Sequence, residues 1–220
     1  MSAARLLLIR HGQSRWNAEG RLQGQLDVPL SALGERQAEA LARRLGDLAL
    51  AAVYASPLRR ALATAEAIAR PHGLPVRTVP EFIEIDHGAW QGRSLAEVAA
   101  SDRDRLRLWT SVPGRVRMPG GERLFDVRQR ALAAVAALAA RHVGQIAAAV
   151  SHEVVIKVVV AEALGLDYDH LGRMQIDNAA LTTVEYEGGR ARLLTLNDTA
   201  HLADLEGRSK SAMSRSSSRR

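Results

Sequence analysis

Four short stretches hold residues able to grip and transform an anionic group. Arg10-His11-Gly12 closes a compact apolar run, Arg5–Ile9, of buried-strand type. Ser56-Pro57-Leu58-Arg59-Arg60-Ala61, with Thr64, follows a second run at Ala52–Ala55. It sets guanidinium groups at a helix start, where helix N–H groups add to a phosphate clamp. Glu84 stands in Phe82-Ile83-Glu84-Ile85, a carboxyl between apolar neighbours that would raise its pKa. Ser151-His152 follows a third apolar run, Ile146–Val150. In an open α/β sheet ligands bind at the carboxyl ends of strands, and all five groups emerge there. Gly12 would let backbone approach closely and open N–H groups toward an anion.

The elements that must carry these residues alternate. After the first strand comes a polar loop with Gly12, Gly20 and Gly24, then a helix from Ser31 to about Leu48 with Leu33, Ala38, Leu41, Ala42 and Leu45 on one face. The strand at Ala52–Ala55 leads to a helix over Ala61–Arg70, with Pro57 in its first turn; Pro71, Gly73 and Pro75 end it. Val76–Val79 reads as a strand. Helices are expected at Leu95–Ser101, Asp104–Thr110, Glu122–His142 and Val154–Leu164, the last stopped by Gly165. A hairpin, Leu181–Tyr186 and Arg192–Leu196 around Gly188-Gly189, closes the chain. This predicts an α/β three-layer sandwich with a mostly parallel central sheet flanked by helices. Residues 84–121 are too long for an ordinary connection and are expected to form a lid or insertion over the site.

Composition excludes several functions. With 220 residues and no cysteine, a disulfide scaffold, an Fe–S or cysteine–zinc site and a thiol nucleophile are out. No run of 18 apolar residues exists to span a membrane, and the N-terminus lacks a signal-peptide pattern, so a cytoplasmic protein is expected. The formal charge of +6 suggests nucleic acid, yet residues 207–220 carry five basic groups and no acid. Without them the body stands near +1. That Ser/Arg-rich tail cannot bury apolar surface and is expected to be disordered; a weak, salt-sensitive anion-binding arm is its functional alternative. No aromatic RNA-binding motif occurs, so nucleic acid is not the expected partner. Dinucleotide, Walker A and nucleophile-elbow motifs are missing. His152-Glu153 fails as a zinc helix because Ile156, not histidine, stands four residues on. No metal site is expected.

The chain resembles the histidine phosphatase superfamily, also called phosphoglycerate mutase-like. The match runs through Arg10–Asn17 (Arg-His-Gly-x-Ser-x-Trp-Asn), Arg21–Gly24, Asp27–Gly34, Ser56–Thr64, Glu84–Gly92 (Glu-x-x-x-Gly-x-Trp-x-Gly), Ser151-His152 and Asn197–Leu202, in order. It makes residues 1–206 one catalytic domain. The resemblance implies that His11 attacks phosphorus and carries a phosphohistidine. Arg10, Arg60 and His152 would hold the phosphoryl oxygens with Asn17 assisting, and Gln23 and Gly24 would border the substrate. Glu84 would protonate the leaving oxygen, then deprotonate water; Glu81 lacks the spacing to Gly88, Trp90 and Gly92. Arg59 is expected to cap or face solvent. The nucleophile must be neutral, its second ring nitrogen donating to a fixed acceptor such as a backbone carbonyl. No cofactor is implied.

A phosphomonoesterase acting on small phosphorylated metabolites fits the compact chain. A cofactor-dependent phosphoglycerate mutase is the alternative, but Glu84-Ile85-Asp86-His87-Gly88 lacks the arginine and tyrosine of the mutase pattern Glu-Arg-His-Tyr-Gly. The nearest-looking branch is the broad-specificity phosphatases, then alpha-ribazole and glucosyl-3-phosphoglycerate phosphatases. A non-catalytic scaffold would have lost one of the five groups. Arg103, Arg105, Arg107, Arg115, Arg117 and Arg123 make the 84–121 region basic, either as a solvated face or to meet a second acidic group on substrate. Trp16, Trp90 and Trp109 either line the pocket or pack in the core. Glu153 replaces the family's usual glycine and would bond His152, raise its pKa or face solvent. The Ala-rich 122–142 helix and the hairpin are candidate homodimer surfaces.

Overall fold

The computed structural model describes residues 2–205; the basic tail foreseen at 207–220 lies outside them. Six strands form one sheet: β1 (Ala4–Arg10), β2 (Leu50–Ala55), β3 (Val76–Thr78), β4 (Ile146–Ser151), β5 (Leu181–Glu187) and β6 (Arg190–Asp198), in the order β3-β2-β4-β1-β5-β6. The first four are mutually parallel. β5 and β6 run antiparallel at one edge, so the sheet is mixed.

Alternation along the strands builds both layers. Leu6, Leu8, Ala52, Tyr54, Ala147 and Ala149 face helices α6 (Leu124–Arg141) and α7 (Glu153–Leu164). Leu7, Ile9, Val53, Ala55, Ala148 and Val150 face α2 (Ala32–Leu45) and α3 (Arg59–Ala69). Such alternation with period two is what a strand covered on both faces requires. Ser31 accepts from the Gly34 N–H to start α2, and Gly165, at φ 65°, stops α7. The run Val154–Val160 is rich in β-branched residues, poor helix formers, but burial of Val155, Ile156, Val158, Val159 and Val160 outweighs that preference.

Residues 84–121 are folded into the body. They carry the helices α4 (Leu95–Ser101) and α5 (Arg103–Ser111), and Ile85, Trp90, Val98, Val116 and Met118 sit in the core on the α6/α7 side. A one-turn helix α1 (Arg15–Ala18), absent from the sequence reading, is closed by a capping box between Ser14 and Asn17. The helix and hairpin named as dimer surfaces both line one apolar groove of about 780 Å³, away from the carboxyl ends of β1, β2 and β4. No helix among the described residues is long and apolar enough to cross a membrane.

Candidate active site

The three central strands bring their carboxyl ends together. β1 pairs with β4 up to Arg10 opposite Ser151, and β2 pairs with β4 up to Ala55 opposite Val150. The ladder then runs one bond further on each side: the His11 N–H donates to Ser151 O at 3.0 Å and the Ser56 N–H to Val150 O at 2.9 Å. The backbones carrying His11, His152 and Arg60 are therefore fixed by strand pairing. The cavity above them, about 450 Å³, is lined by Arg10, His11, Asn17, Gln23, Gly24, Arg60 and Glu84. His152 lies beneath, fully buried, its ring 5.0 Å from that of His11. All eight site residues named from sequence thus converge.

His11 is held at both ring nitrogens. Nδ1 lies 2.7 Å from Gly12 O and Nε2 3.2 Å from Arg60 Nε. A carbonyl only accepts and a guanidinium only donates, so Nδ1 carries the proton and Nε2 presents its lone pair. Burial first, then the charges of Arg60 and Arg10, hold the ring's pKa well below the usual 6.5, with the Gly12 bond opposing. Arg60 is itself fixed by Leu26 O at 2.8 Å and Gly24 O at 2.7 Å. Burial brings its pKa down to about 10, against the raising influence of Glu84 and Asp27, so it stays charged at neutral pH. Arg59 is exposed, and its backbone N–H binds Asp27.

Glu84 is buried, and burial raises its carboxyl above the usual range despite bonds from the N–H groups of Ile85 (2.9 Å) and Val154 (3.4 Å). Its loop is tied to α6: the Arg130 guanidinium donates to the carbonyls of Glu81, Ile83 and Glu84 and pairs with Glu122 at 3.0 Å. Asn17 accepts from the Ser14 N–H at 3.0 Å and from Asn178 at 3.3 Å, and Gln23 accepts from the Ser14 hydroxyl at 2.7 Å. His152 Nε2 meets the Ser56 hydroxyl at 2.7 Å. Its pKa is well below normal, chiefly through burial and then through Arg60. Arg10 Nε and His152 Nδ1 are buried without a hydrogen-bonding partner among the described residues.

Several expectations need correction. The Gly12 N–H does not face the cavity for an anion; it donates to Thr64 Oγ1 at 3.1 Å. Glycine is needed there because a Cβ would stand 2.5 Å from Gly34 O. Glu153 neither bonds His152 nor points wholly to solvent; it pairs with Arg10 at 3.0 Å and Lys157 at 2.7 Å. Of the two readings given for the basic 84–121 region, the solvated face fits: no arginine of the 103–123 set lines the cavity. Arg105, Arg115 and Arg117 meet Asp102, Asp169 and Asp126 instead. Of the tryptophans only Trp109 reaches the cavity; Trp90 is core, donating to Asp102, and Trp16 packs beside Gly92.

The sequence reading missed Arg21, His87, Lys157 and Gly172 in the lining. Lys157 had a signal: it stands one helical turn after Glu153, on the same face. His87 had none. Burial takes its pKa down to about 4, and its ring meets Trp109 edge-on at 6.0 Å.

Known proteins resemble this chain in sequence and fold. Phosphoserine phosphatase 1 of Hydrogenobacter thermophilus is 37% identical over 200 residues, covering 91% of this chain and 95% of that protein. A probable phosphoglycerate mutase of Escherichia fergusonii is 31% identical, over 82% of this chain and 84% of its own length. The solved structure of mycobacterial glucosyl-3-phosphoglycerate phosphatase superposes with a TM-score of 0.83 at 32% identity, covering 90% of this chain and all of that one. The model of the histidine phosphatase superfamily, branch 1, matches residues 6–199, which spans every strand-end group described above. With its histidines, arginines and carboxyl gathered over the carboxyl ends of the central strands, the chain belongs to the histidine phosphatase superfamily.

Proposed function

We propose that the protein is a metal-independent phosphomonoesterase that works in the cytoplasm on small phosphorylated metabolites through a phosphohistidine. The observation that carries this reading is the doubly held His11, protonated at Nδ1 and lining the same cavity as the raised Glu84 carboxyl; Nε2 accepts from Arg60 in the free protein and would be released to phosphorus as Arg60 turns to the phosphoryl oxygens. Arg10 and Arg60 would take the phosphoryl oxygens, with His152 and Asn17 donating alongside. The partnerless Arg10 Nε and His152 Nδ1 favour an anion here, since buried polar atoms are seldom left unpaired. Nε2 would then form the N–P bond as the P–O bond to the alcohol breaks, and Glu84 would hand its proton to the leaving oxygen. In the second half Glu84 would take a proton from water, whose oxygen forms the new P–O bond while the N–P bond breaks. Inorganic phosphate leaves and His11 returns. Preorganised guanidinium groups stabilise the charge at phosphorus without reorganisation.

Phosphatase is favoured over mutase by the 37% identical relative, by its greater coverage and by the Ile85–His87 sequence. The test is phosphate release from a panel of phosphomonoesters with EDTA present, for wild type and His11→Ala. Release expected from wild type should fall at least about 10³-fold in the variant, the scale for losing an activated nucleophile. Release unaffected by His11→Ala would overturn the assignment. No release at all would send the question to a mutase assay primed with a bisphosphoglycerate.

A further inference from the structure

The cavity wall beyond the phosphate cage carries one ion pair that the mechanism does not use. Glu153 and Lys157 stand one turn apart on α7 and both line the cavity. Glu153 Oε1 lies 2.7 Å from Lys157 Nζ, and Oε2 lies 3.0 Å from Arg10 Nη1. The lysine side chain is only 14% exposed, yet Glu153 is its one hydrogen-bonding partner among the described residues. An ammonium has three protons, so two remain; a carboxylate accepts about four bonds, so about two sites remain. The pair therefore holds spare donors and spare acceptors at one spot.

A carboxylate beside a dianion site is a cost. Like charges a few ångströms apart in a partly buried cavity repel. Arg10 and Lys157 offset that in the free protein. Glu153 stays ionised: burial would raise its carboxyl, but Arg10 and Lys157 outweigh burial and bring it below the usual range. Glu84, the other carboxyl lining the cavity, is shifted the opposite way. The cavity thus presents one fixed negative and one fixed positive charge next to each other. A ligand bearing only a carboxylate would draw on Lys157 and leave Glu153 facing it. A neutral sugar would need neither charge. A ligand bearing an ammonium and a carboxylate on one carbon matches both.

Resting on the phosphomonoesterase reading, we propose that Glu153 and Lys157 read a zwitterionic group. The substrate class is then an O-phosphorylated α-amino acid. The phosphate enters the His11 cage, the carboxylate accepts from Lys157 and the ammonium donates to Glu153. Leu22, Trp109, Pro113, Val154 and Leu171 wall the space between, and about 450 Å³ suits a molecule this small.

Four phosphomonoesters separate the two charges: phosphoserine carries both, phosphoethanolamine the ammonium, 3-phosphoglycerate the carboxylate and glycerol 3-phosphate neither. Their kcat/KM values would be measured for wild type, Glu153→Gln and Lys157→Met. Wild type should prefer phosphoserine to glycerol 3-phosphate by at least about 30-fold, since each charge-assisted contact is worth roughly tenfold or more. Glu153→Gln should lower phosphoserine and phosphoethanolamine about tenfold relative to glycerol 3-phosphate. Lys157→Met should do so for phosphoserine and 3-phosphoglycerate. Equal losses on all four esters would show that Glu153 only tethers Arg10, and a wild type indifferent to phosphoserine would likewise overturn the inference. Hydrolysis of p-nitrophenyl phosphate, lost in His11→Ala, keeps the underlying reading separate and verifies that each variant is folded. If no ester turns over, that reading falls, and calorimetric titration with phosphoserine and glycerol 3-phosphate decides the inference: equal affinities sink it.

Discussion

The floor and the rim of the cavity are built from the same kinds of residue to opposite effect. On the floor, Arg60 is buried and its nitrogens meet His11, Leu26 O and Gly24 O. At the rim, the segment that brings Trp109, Thr110 and Pro113 to the cavity, Arg103, Arg107, Arg115 and Arg117 are exposed and outside the lining, and the latter two lie near Asp169 and Asp126 at 4.0 and 3.9 Å. The floor arginine is aimed by uncharged carbonyls that leave its charge unspent. The rim arginines sit in water, where ion pairs contribute little. Arginine content near a site therefore says less than what holds each guanidinium.

Breaking the floor should cost most. Glu84→Gln removes the proton donor and should lower turnover of alkyl phosphates about 10²–10⁴-fold. The loss should be much smaller on p-nitrophenyl phosphate, whose leaving oxygen needs no proton; equal losses on both would refute Glu84 as the acid. Arg60→Met should lower kcat/KM about 10²–10³-fold, the scale for losing one preorganised donor. Steady-state kinetics on one ester would check it, and a variant within threefold of wild type would mean that Arg10 alone suffices.

The floor is also where acid should act. His11, His152 and His87 all have folded pKa values below the unfolded 6.5, through burial first. As pH falls below 6.5 the unfolded chain takes up protons that the folded chain refuses. Stability is thus fully present above 6.5 and declines toward the folded pKa, by about 1.4 kcal/mol per pH unit for each histidine. For His87, whose pKa is about 4, the decline reaches about 3 kcal/mol by pH 4. Urea melts at pH 7 and pH 5 measure it, and equal midpoints would show that these rings charge in place. The rim should barely respond: Arg103→Ala and Arg107→Ala should each leave kcat/KM within about twofold, because neither lines the cavity. A tenfold loss would restore a substrate role for that face.

Much of this was legible in the linear chain because each signal was local. The apolar runs ending in Arg10, Ala55 and Val150 mark strands, and residues just past strand ends must meet above the sheet. That rule placed His11, His152, Glu84 and the Arg59-Arg60 pair above the sheet; the family resemblance chose Arg60 over Arg59 and Glu84 over Glu81. The antiparallel edge was less legible, because a terminal hairpin carries no mark of which strand it will join; the pairing of β5 with β1 is a contact between residues about 175 positions apart. Gly12 was read as an opening for an anion, when the carbonyl of Gly34, distant in sequence, is what excludes a side chain.

The sequence alone determined which residue types stand at the strand ends, since strand period and helix caps are set by neighbours a few positions apart. Only the tertiary structure decided where the long side chains point. Arginine, lysine and glutamate have several freely rotating bonds, and their direction is chosen by partners far along the chain. So Glu153 turned to Arg10 rather than His152, Lys157 came into the cavity, and the rim arginines stayed outside it.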